Sequence, residues 1–369
     1  MANRLDSLEK ILLMGPGPSM VHSSVYAALA KDTIGHMDAS FIALMDDIKV
    51  QLRALCQTRN AVTMPMSGTG SAGMETCFVN LVEPGDAVLV LQNGVFGVRM
   101  ADVAGRLGAA VDVLEFEWGT PVVPDEVAKA LGKKKYALVA VVHAETSTGV
   151  CNPVEAIGKL VKGHGALYLV DCVTSLGGIE VAVDRWGADA FYSGTQKCLS
   201  CPPGLAPISF SEAAVAKLKS RKQKVPNWYL DLTMIINYWE GNSRAYHHTA
   251  PINMNYALYQ ALHLILEEGT DKVFARHKTV HDQLVSGLDA LGFKMYVQKD
   301  FRLPMLNAVV PPPGVDEGQL RKRLREEYMI ELGSGLGPLA GKIIRIGLMG
   351  ETACKANVNR LLAALRACL

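Results

Sequence analysis

Through the first two thirds of the chain, short apolar runs alternate with stretches whose apolar positions recur every three or four residues. The order is "DAVLVLQN", "GVRMADVAGRLG", "AAVDVLEFE", "PDEVAKALG", "YALVAVVHAE", "PVEAIGKLVKGHG", "ALYLVDCV" and "GADAFYSGT". Runs that are apolar on both faces belong to a sheet covered on both sides, so the pattern predicts an α/β layer built on a mostly parallel sheet. Such sheets bind ligands at the carboxyl ends of their strands. The segments "HAETSTG", "DCVTS" and "SGTQK", each following a strand run, should therefore converge on one crevice.

After "HTAPINMN" the texture changes to a long helical pattern over residues 256–292, followed by the shorter strand-like pieces "KMYVQ", "NAVVPPPG", "YMIELGSG" and "KIIRIGL". This predicts an N-terminal arm over residues 1–20, a large domain over 21–267 and a smaller α+β domain over 268–369. No internal repeat or low-complexity tract interrupts the scheme.

The composition agrees with two domains: 369 residues, 49% hydrophobic and 20% charged, exceed what one core usually supports. Lys plus Arg number 37 against 36 for Asp plus Glu, and a net charge of +1 gives no footprint for nucleic acid or an acidic membrane. No secretory signal, no run approaching the roughly 20 apolar residues of a membrane span, and no Ser-Lys-Leu type ending are expected. The eight cysteines lie scattered in apolar or small-residue surroundings, which favours reduced thiols and a cytoplasmic protein. "CLSC" has no second pair and no histidine at ligand spacing, so no metal is expected.

Three features carry candidate chemistry. "SGTGSAGME" is a glycine-rich turn opening into a helix, and its free backbone N–H groups suit an anion such as phosphate, unless it is a plain loop-to-helix junction. Asp171 follows the apolar "ALYLV", where a carboxylate needs a cation or a strong donor, unless it only forms a turn. Lys197, 26 residues further on, sits between "YSGTQ" and a Cys-x-x-Cys-Pro-Pro-Gly break at what reads as a buried strand end. A dry amine there can act as a nucleophile or Schiff-base partner. Any one of these is ordinary, but a phosphate seat, an acid for a ring nitrogen and a lysine for a covalent link are together the requirements of pyridoxal 5′-phosphate.

The motifs "LLMGPGPS", "QTRN", "SGTGSAGME", "PGD", "HAETSTGV", "LVDCVTSLGG", "YSGTQKCLSCPPG", "YHHTAP" and "KIIRIGLMG" occur in that order. In this the sequence resembles the class V, fold-type I pyridoxal-phosphate aminotransferases, and among them the alanine–glyoxylate and serine–pyruvate or serine–glyoxylate branch. The resemblance implies that Lys197 is the lysine joined to the cofactor and the proton shuttle, and that Asp171 pairs with the pyridine nitrogen. Thr69, Gly70, Ser71 and Gln196 match the phosphate contacts, Thr146 the residue near the 3-hydroxyl, and Val173 another cofactor contact. Tyr246 and Thr249 match residues that reach the phosphate of a neighbouring subunit, which implies a homodimer with shared sites. Arg345, a charge inside an apolar strand pattern, matches the binder of the substrate α-carboxylate rather than one half of an internal ion pair, and Gly15 lies on the substrate side.

Two departures stand out. Phe96 takes the place of a tryptophan stacked on the cofactor ring, and Met37 stands where bacterial serine–glyoxylate enzymes carry arginine in "GHRD". Both bear on the identity of the amino donor, which the resemblance limits to a small amino acid such as alanine or serine, with glyoxylate or pyruvate as acceptor. Cys198 and Cys201 beside Lys197 raise the alternative of a lyase or cysteine desulfurase on the same fold. A binding module that kept the fold without the chemistry would have lost Lys197 or Asp171.

Overall fold

The computed structural model describes residues 3–241 and 244–369. Its centre is a seven-stranded sheet in the order Val62–Ser67, Leu205–Phe210, Ala190–Tyr192, Leu167–Asp171, Leu138–Val142, Ala87–Gln92, Ala110–Glu115. Leu205–Phe210 runs antiparallel to both neighbours and the remaining pairings are parallel. Leu138–Val142 is buried along its whole length, as a run apolar on both faces requires. The edge strand Ala110–Glu115 departs from that expectation: it is half exposed, and its Asp112 binds Lys134 at 2.9 Å.

Two apolar cores lie on the two faces of this sheet, one lined by Val88, Val90, Ala140 and Leu169, the other by Leu89, Leu91, Val139 and Val170. The alternation by odd and even residue is the pleat itself. Helix Ala39–Leu55 shows how covering helices form: Asp38 accepts from Ser40 N at 2.8 Å as the cap, and Phe41, Met45, Ile48, Leu52 and Leu55 recur every three or four residues on the buried face.

The long helical pattern after residue 255 is two helices, Ile252–Glu268 and Thr270–Ala290, broken at Gly269, whose φ of +88° only glycine adopts readily. Beyond it, Lys294–Met295, Leu306–Val310, Ile344–Gly347 and Gly333–Ser334 form an antiparallel sheet backed by Thr270–Ala290, Glu317–Tyr328 and Lys355–Cys368. The N-terminal segment joins this second sheet region. Leu12–Leu13 pairs with Ile330–Glu331, and Met14 O accepts from Gly347 N at 2.7 Å, before the chain crosses to the large sheet.

Candidate active site

Leu138–Val142, Leu167–Asp171 and Ala190–Tyr192 are adjacent parallel strands, so the segments after them meet at one end of the sheet, as expected. Asp171 is 5% exposed. Its carboxylate accepts from Val173 N and from Tyr192 Oη, both at 2.8 Å. Burial outweighs these two donors and holds the carboxyl up to about 7, against 3.8 for the free side chain. Tyr192 carried no signal in the sequence, since a tyrosine in an apolar strand reads as core.

Lys197 is not itself at a strand end. Ala190–Tyr192 stops five residues earlier, and Lys197 lies in the turn leading to Leu205–Phe210. Ala190–Tyr192, the strand before that turn, is the immediate neighbour of the one ending in Asp171. What holds the lysine is the N-terminal arm: its Nζ donates to Pro16 O, Ser19 Oγ donates to Lys197 O at 2.7 Å, and Ser19 N to Gln196 O at 3.0 Å. A side chain at Gly17 would be strained by its φ of +106° and would displace Lys197, whose Nζ lies 2.7 Å from where a Cβ would stand. Burial, and then the nearby positive Arg345, lower the amine to about 8.

Thr69 stands at the start of helix Gly70–Leu81, and its side chain makes no capping bond. Among the described residues the amides of Gly70 and Ser71 have no partner, and the Gln196 side-chain amide makes no hydrogen bond although its Oε1 is buried. A Cβ on Gly70 would lie 3.3 Å from Val173 Cγ2, so the turn packs directly against the segment that follows Asp171. Free amides at a helix start, an uncommitted hydroxyl and an orphaned buried amide fit a phosphate group. With the Asp171 carboxylate and the Lys197 amine close by, the residues present fit pyridoxal 5′-phosphate.

Arg345 is 6% exposed and enters no ion pair among the described residues. Its Nε donates to Ser334 O at 2.7 Å and its Nη1 to Thr146 O at 3.1 Å, so neutral carbonyls aim the guanidinium without cancelling its charge. Burial lowers it to about 10. Thr146 Oγ1 pairs with Thr174 Oγ1 at 2.5 Å. Phe96 is partly buried, and Arg99 Cζ lies 4.9 Å from its ring centre. Glu145, fully buried, fixes this ring's helix: it accepts from Phe96 N at 3.3 Å and from Ser147 N and Oγ at 3.0 and 2.6 Å, while Ser147 Oγ takes Val95 N at 3.0 Å. Sequence reasoning missed Glu145, whose signal was only a carboxylate after an apolar run.

Gly15 lies in the arm, with a built Cβ 3.5 Å from Gly333 N and so beside the Arg345 strand region. Tyr246, Thr249 and Met37 are exposed, and none touches the lysine or the acid in this chain. Cys198 is buried with its Sγ 3.3 Å from Thr174 O, and burial pushes its thiol up to about 12. Cys201 is buried too, its thiol likewise raised to about 12, so burial disfavours the thiolate of both cysteines that suggested a desulfurase.

The Aminotransferase class-V family model matches residues 19–361. Alanine–glyoxylate aminotransferase of Oryctolagus cuniculus is 40% identical over 361 residues, covering 97% of this chain and 92% of that protein. The (S)-ureidoglycine–glyoxylate transaminase of Bacillus subtilis (strain 168) is 38% identical over 375 residues, covering 97% and 90%. The crystal structure of an alanine–glyoxylate aminotransferase from Nostoc sp. superposes with a TM-score of 0.95 at 45% identity, over 100% of this chain and 99% of that one. A cysteine desulfurase from Thermococcus onnurineus NA1 shares the fold alone, at 15% identity with a TM-score of 0.76. The sheet-end lysine and acid therefore sit in a frame matched along nearly its whole length: the chain belongs to the class V aminotransferases.

Proposed function

We propose that this aminotransferase works with pyridoxal 5′-phosphate and moves the amino group of alanine or serine to glyoxylate or pyruvate. The donor leaves as a 2-oxo acid before the acceptor binds, which is a ping-pong order. The observation that carries this reading is the buried Arg345 guanidinium without an ion pair, held by two carbonyls within the electrostatic reach of Lys197. It offers a planar two-donor face to a carboxylate, which both substrates possess.

When bound, the cofactor supplies an electron sink that lets a C–H bond at the amino acid's α-carbon break. Asp171 holds the ring-nitrogen proton, and a cation beside it returns its carboxyl to the ionised form that burial alone disfavours. Lys197 Nζ, already lowered to about 8, moves the proton at the α-carbon. Thr69, Gly70, Ser71 and Gln196 seat the phosphate. Val173 packs beside them, and Thr146 and Phe96 would hold the cofactor's 3-hydroxyl and ring when it is bound. Arg345 would fix the carboxylate, with Gly15 of the arm packed beside the strand next to it.

Tyr246 is 61% exposed, and with Thr249 it is free to reach the phosphate of a partner, which supports a homodimer with shared sites. A cytoplasmic setting accords with eight cysteines present as thiols, and no helix is long and apolar enough to cross a membrane among the described residues. The domain limits proposed are 1–20, 21–267 and 268–369; the break at Gly269, between the helix packed on Ala39–Leu55 and the one packed on Lys355–Cys368, supports a boundary near the last of these. A panel of amino donors assayed against glyoxylate and pyruvate tests the assignment. Turnover confined to other donors would overturn the substrates, and no transamination of any amino acid would overturn the whole reading.

A further inference from the structure

The loop that holds out Tyr246 and Thr249 also turns two histidines inward. His247 is buried and stacks on Trp228, with ring centres 4.3 Å apart and planes 17° from parallel, and its Nε2 lies 3.3 Å from Trp228 O. Its Nδ1 meets Nδ1 of His248 at 2.8 Å, and His248 Nε2 meets Ser67 Oγ at 2.7 Å. Tyr229 and Tyr238 stand against the His248 ring with centres 5.0 and 5.9 Å away. Ser67 ends the strand Val62–Ser67, directly before the turn that leads to Thr69, Gly70 and Ser71.

With both rings taken as neutral, one carbonyl orders the protons of this row. The Trp228 oxygen only accepts, so His247 then carries its hydrogen on Nε2 and accepts at Nδ1. His248 must then donate from Nδ1 and accept at Nε2. The hydrogen on Ser67 Oγ is therefore committed to His248, and Ser67 is tied in one orientation at the base of the glycine turn. Gly68, next in the chain, is held by donation to Gly204 O at 3.0 Å and has a φ of +140°, so the turn is pinned on both sides of the point where it bends.

We propose that His248 is a positioning residue for the cofactor phosphate: it ties the base of the Gly68–Ser71 turn to the same loop that extends Tyr246 and Thr249. A single hydrogen-bonded row then sets the two segments expected to meet phosphate, one in this chain and one directed to a partner. The proposal rests on the reading of that turn as the phosphate seat. It goes further in giving a role to two histidines and a serine outside the residues assigned to cofactor and substrate.

The test titrates the cofactor-free protein with pyridoxal 5′-phosphate and, separately, with pyridoxal, which lacks the phosphate, following the absorbance of the bound chromophore. Ser67→Ala and His248→Ala should each weaken pyridoxal 5′-phosphate binding about tenfold, the effect of one neutral hydrogen bond, and leave pyridoxal binding unchanged. His248→Gln, which keeps an acceptor near the place of Nε2, should recover most of the loss. The double variant should bind no more weakly than either single, because both remove the same link. Additive losses, equal losses for pyridoxal, or unchanged affinity for the phosphorylated form would each overturn the proposal. A wild-type protein that bound the two compounds equally would refute the phosphate seat itself. Should His248→Ala fail to fold, Ser67→Ala and His248→Gln decide the matter by the same comparison.

Discussion

Replacing Asp171 by asparagine separates the acid's effect on folding from its effect on catalysis. The amide keeps an acceptor for Val173 N, and its NH2 can donate to Tyr192 Oη in place of the bond Tyr192 now donates to Asp171. The charge is removed while the shape of the side chain is kept. In the folded chain without cofactor the carboxyl is held at about 7 rather than 3.8, so between these values the folded state keeps a proton that the unfolded state has released. Stability therefore falls as pH rises through this window and levels off above about 7. At about 1.36 kcal/mol per pH interval, the accumulated loss is about 4 kcal/mol, which asparagine avoids. Buried His143, lowered to about 3, has the opposite slope below 6.5, but it is common to both proteins and cancels in the difference. Urea denaturation of both cofactor-free proteins from pH 4 to 8.5 should thus show little gap at pH 4, growing to about 2 to 4 kcal/mol in favour of Asp171→Asn above pH 7. In the cofactor-loaded proteins the sign reverses, since the ionised carboxylate gains a cationic partner, and transamination by the variant should fall by orders of magnitude. A stability gap that does not change with pH would refute this account of the acid.

Lys197→Ala should abolish turnover, and borohydride reduction of the cofactor-loaded wild type followed by peptide mapping should label Lys197; a label on another lysine refutes the assignment. Because its amine is lowered to about 8, cofactor attachment to the free protein should quicken as pH rises towards 8 and level off beyond it, measured by stopped-flow absorbance. Arg345→Ala should lower kcat/KM for donor and acceptor alike by about 30-fold to several thousand-fold, the loss of one charge-assisted pair of about 2 to 5 kcal/mol. A destabilised variant with normal substrate constants would instead make Arg345 structural. Gly94→Ala would place a Cβ 2.5 Å from Ser147 Oγ and against Glu145, so it should destabilise the protein by about 1 to 3 kcal/mol and weaken cofactor binding through Phe96. Unchanged melting temperature and affinity would show that the Glu145 cap yields freely.

The parallel strands were legible because burial on both faces leaves long apolar runs, and the strand-end acid because a carboxylate in such a run is out of place. Strands Val62–Ser67 and Leu205–Phe210 were not, since each carries a proline near its middle, a residue that argues against a central strand. Pro65 and Pro207 face each other across the ladder. Pro207 turns its carbonyl to Ser193 N at 2.7 Å, so its nitrogen points to the same side, one residue past the end of Ala190–Tyr192, and the missing N–H costs a single bond at the strand's end. Lys197 was legible as a dry amine, but its partner was not, because Pro16 lies 181 residues away and a carbonyl leaves no trace in side-chain pattern. The role of Glu145 was hidden for the same reason: what it holds are backbone N–H groups of a helix that begins some 50 residues earlier.

The four charged side chains of the site share one imbalance. Burial is the largest influence on each, and it lowers Lys197 and Arg345 while raising Asp171 and Glu145, so all four are pushed towards neutrality. Their mutual attractions are too weak to reverse this: Asp171 and Glu145 add negative charge beside one another, and Arg345 lies near Lys197. A ligand that brings a cationic ring nitrogen to Asp171 and a carboxylate to Arg345 supplies both missing counter-charges, and a second carboxylate-bearing substrate can replace the first at Arg345 without disturbing Asp171. Among the described residues Arg345 completes no ion pair there, and a completed one would have to be broken each time a carboxylate took its place. The arm segment Pro16–Ser19 shows the alternative device: a neutral carbonyl, Pro16 O, occupies the Lys197 amine and can release it without leaving a bare charge behind.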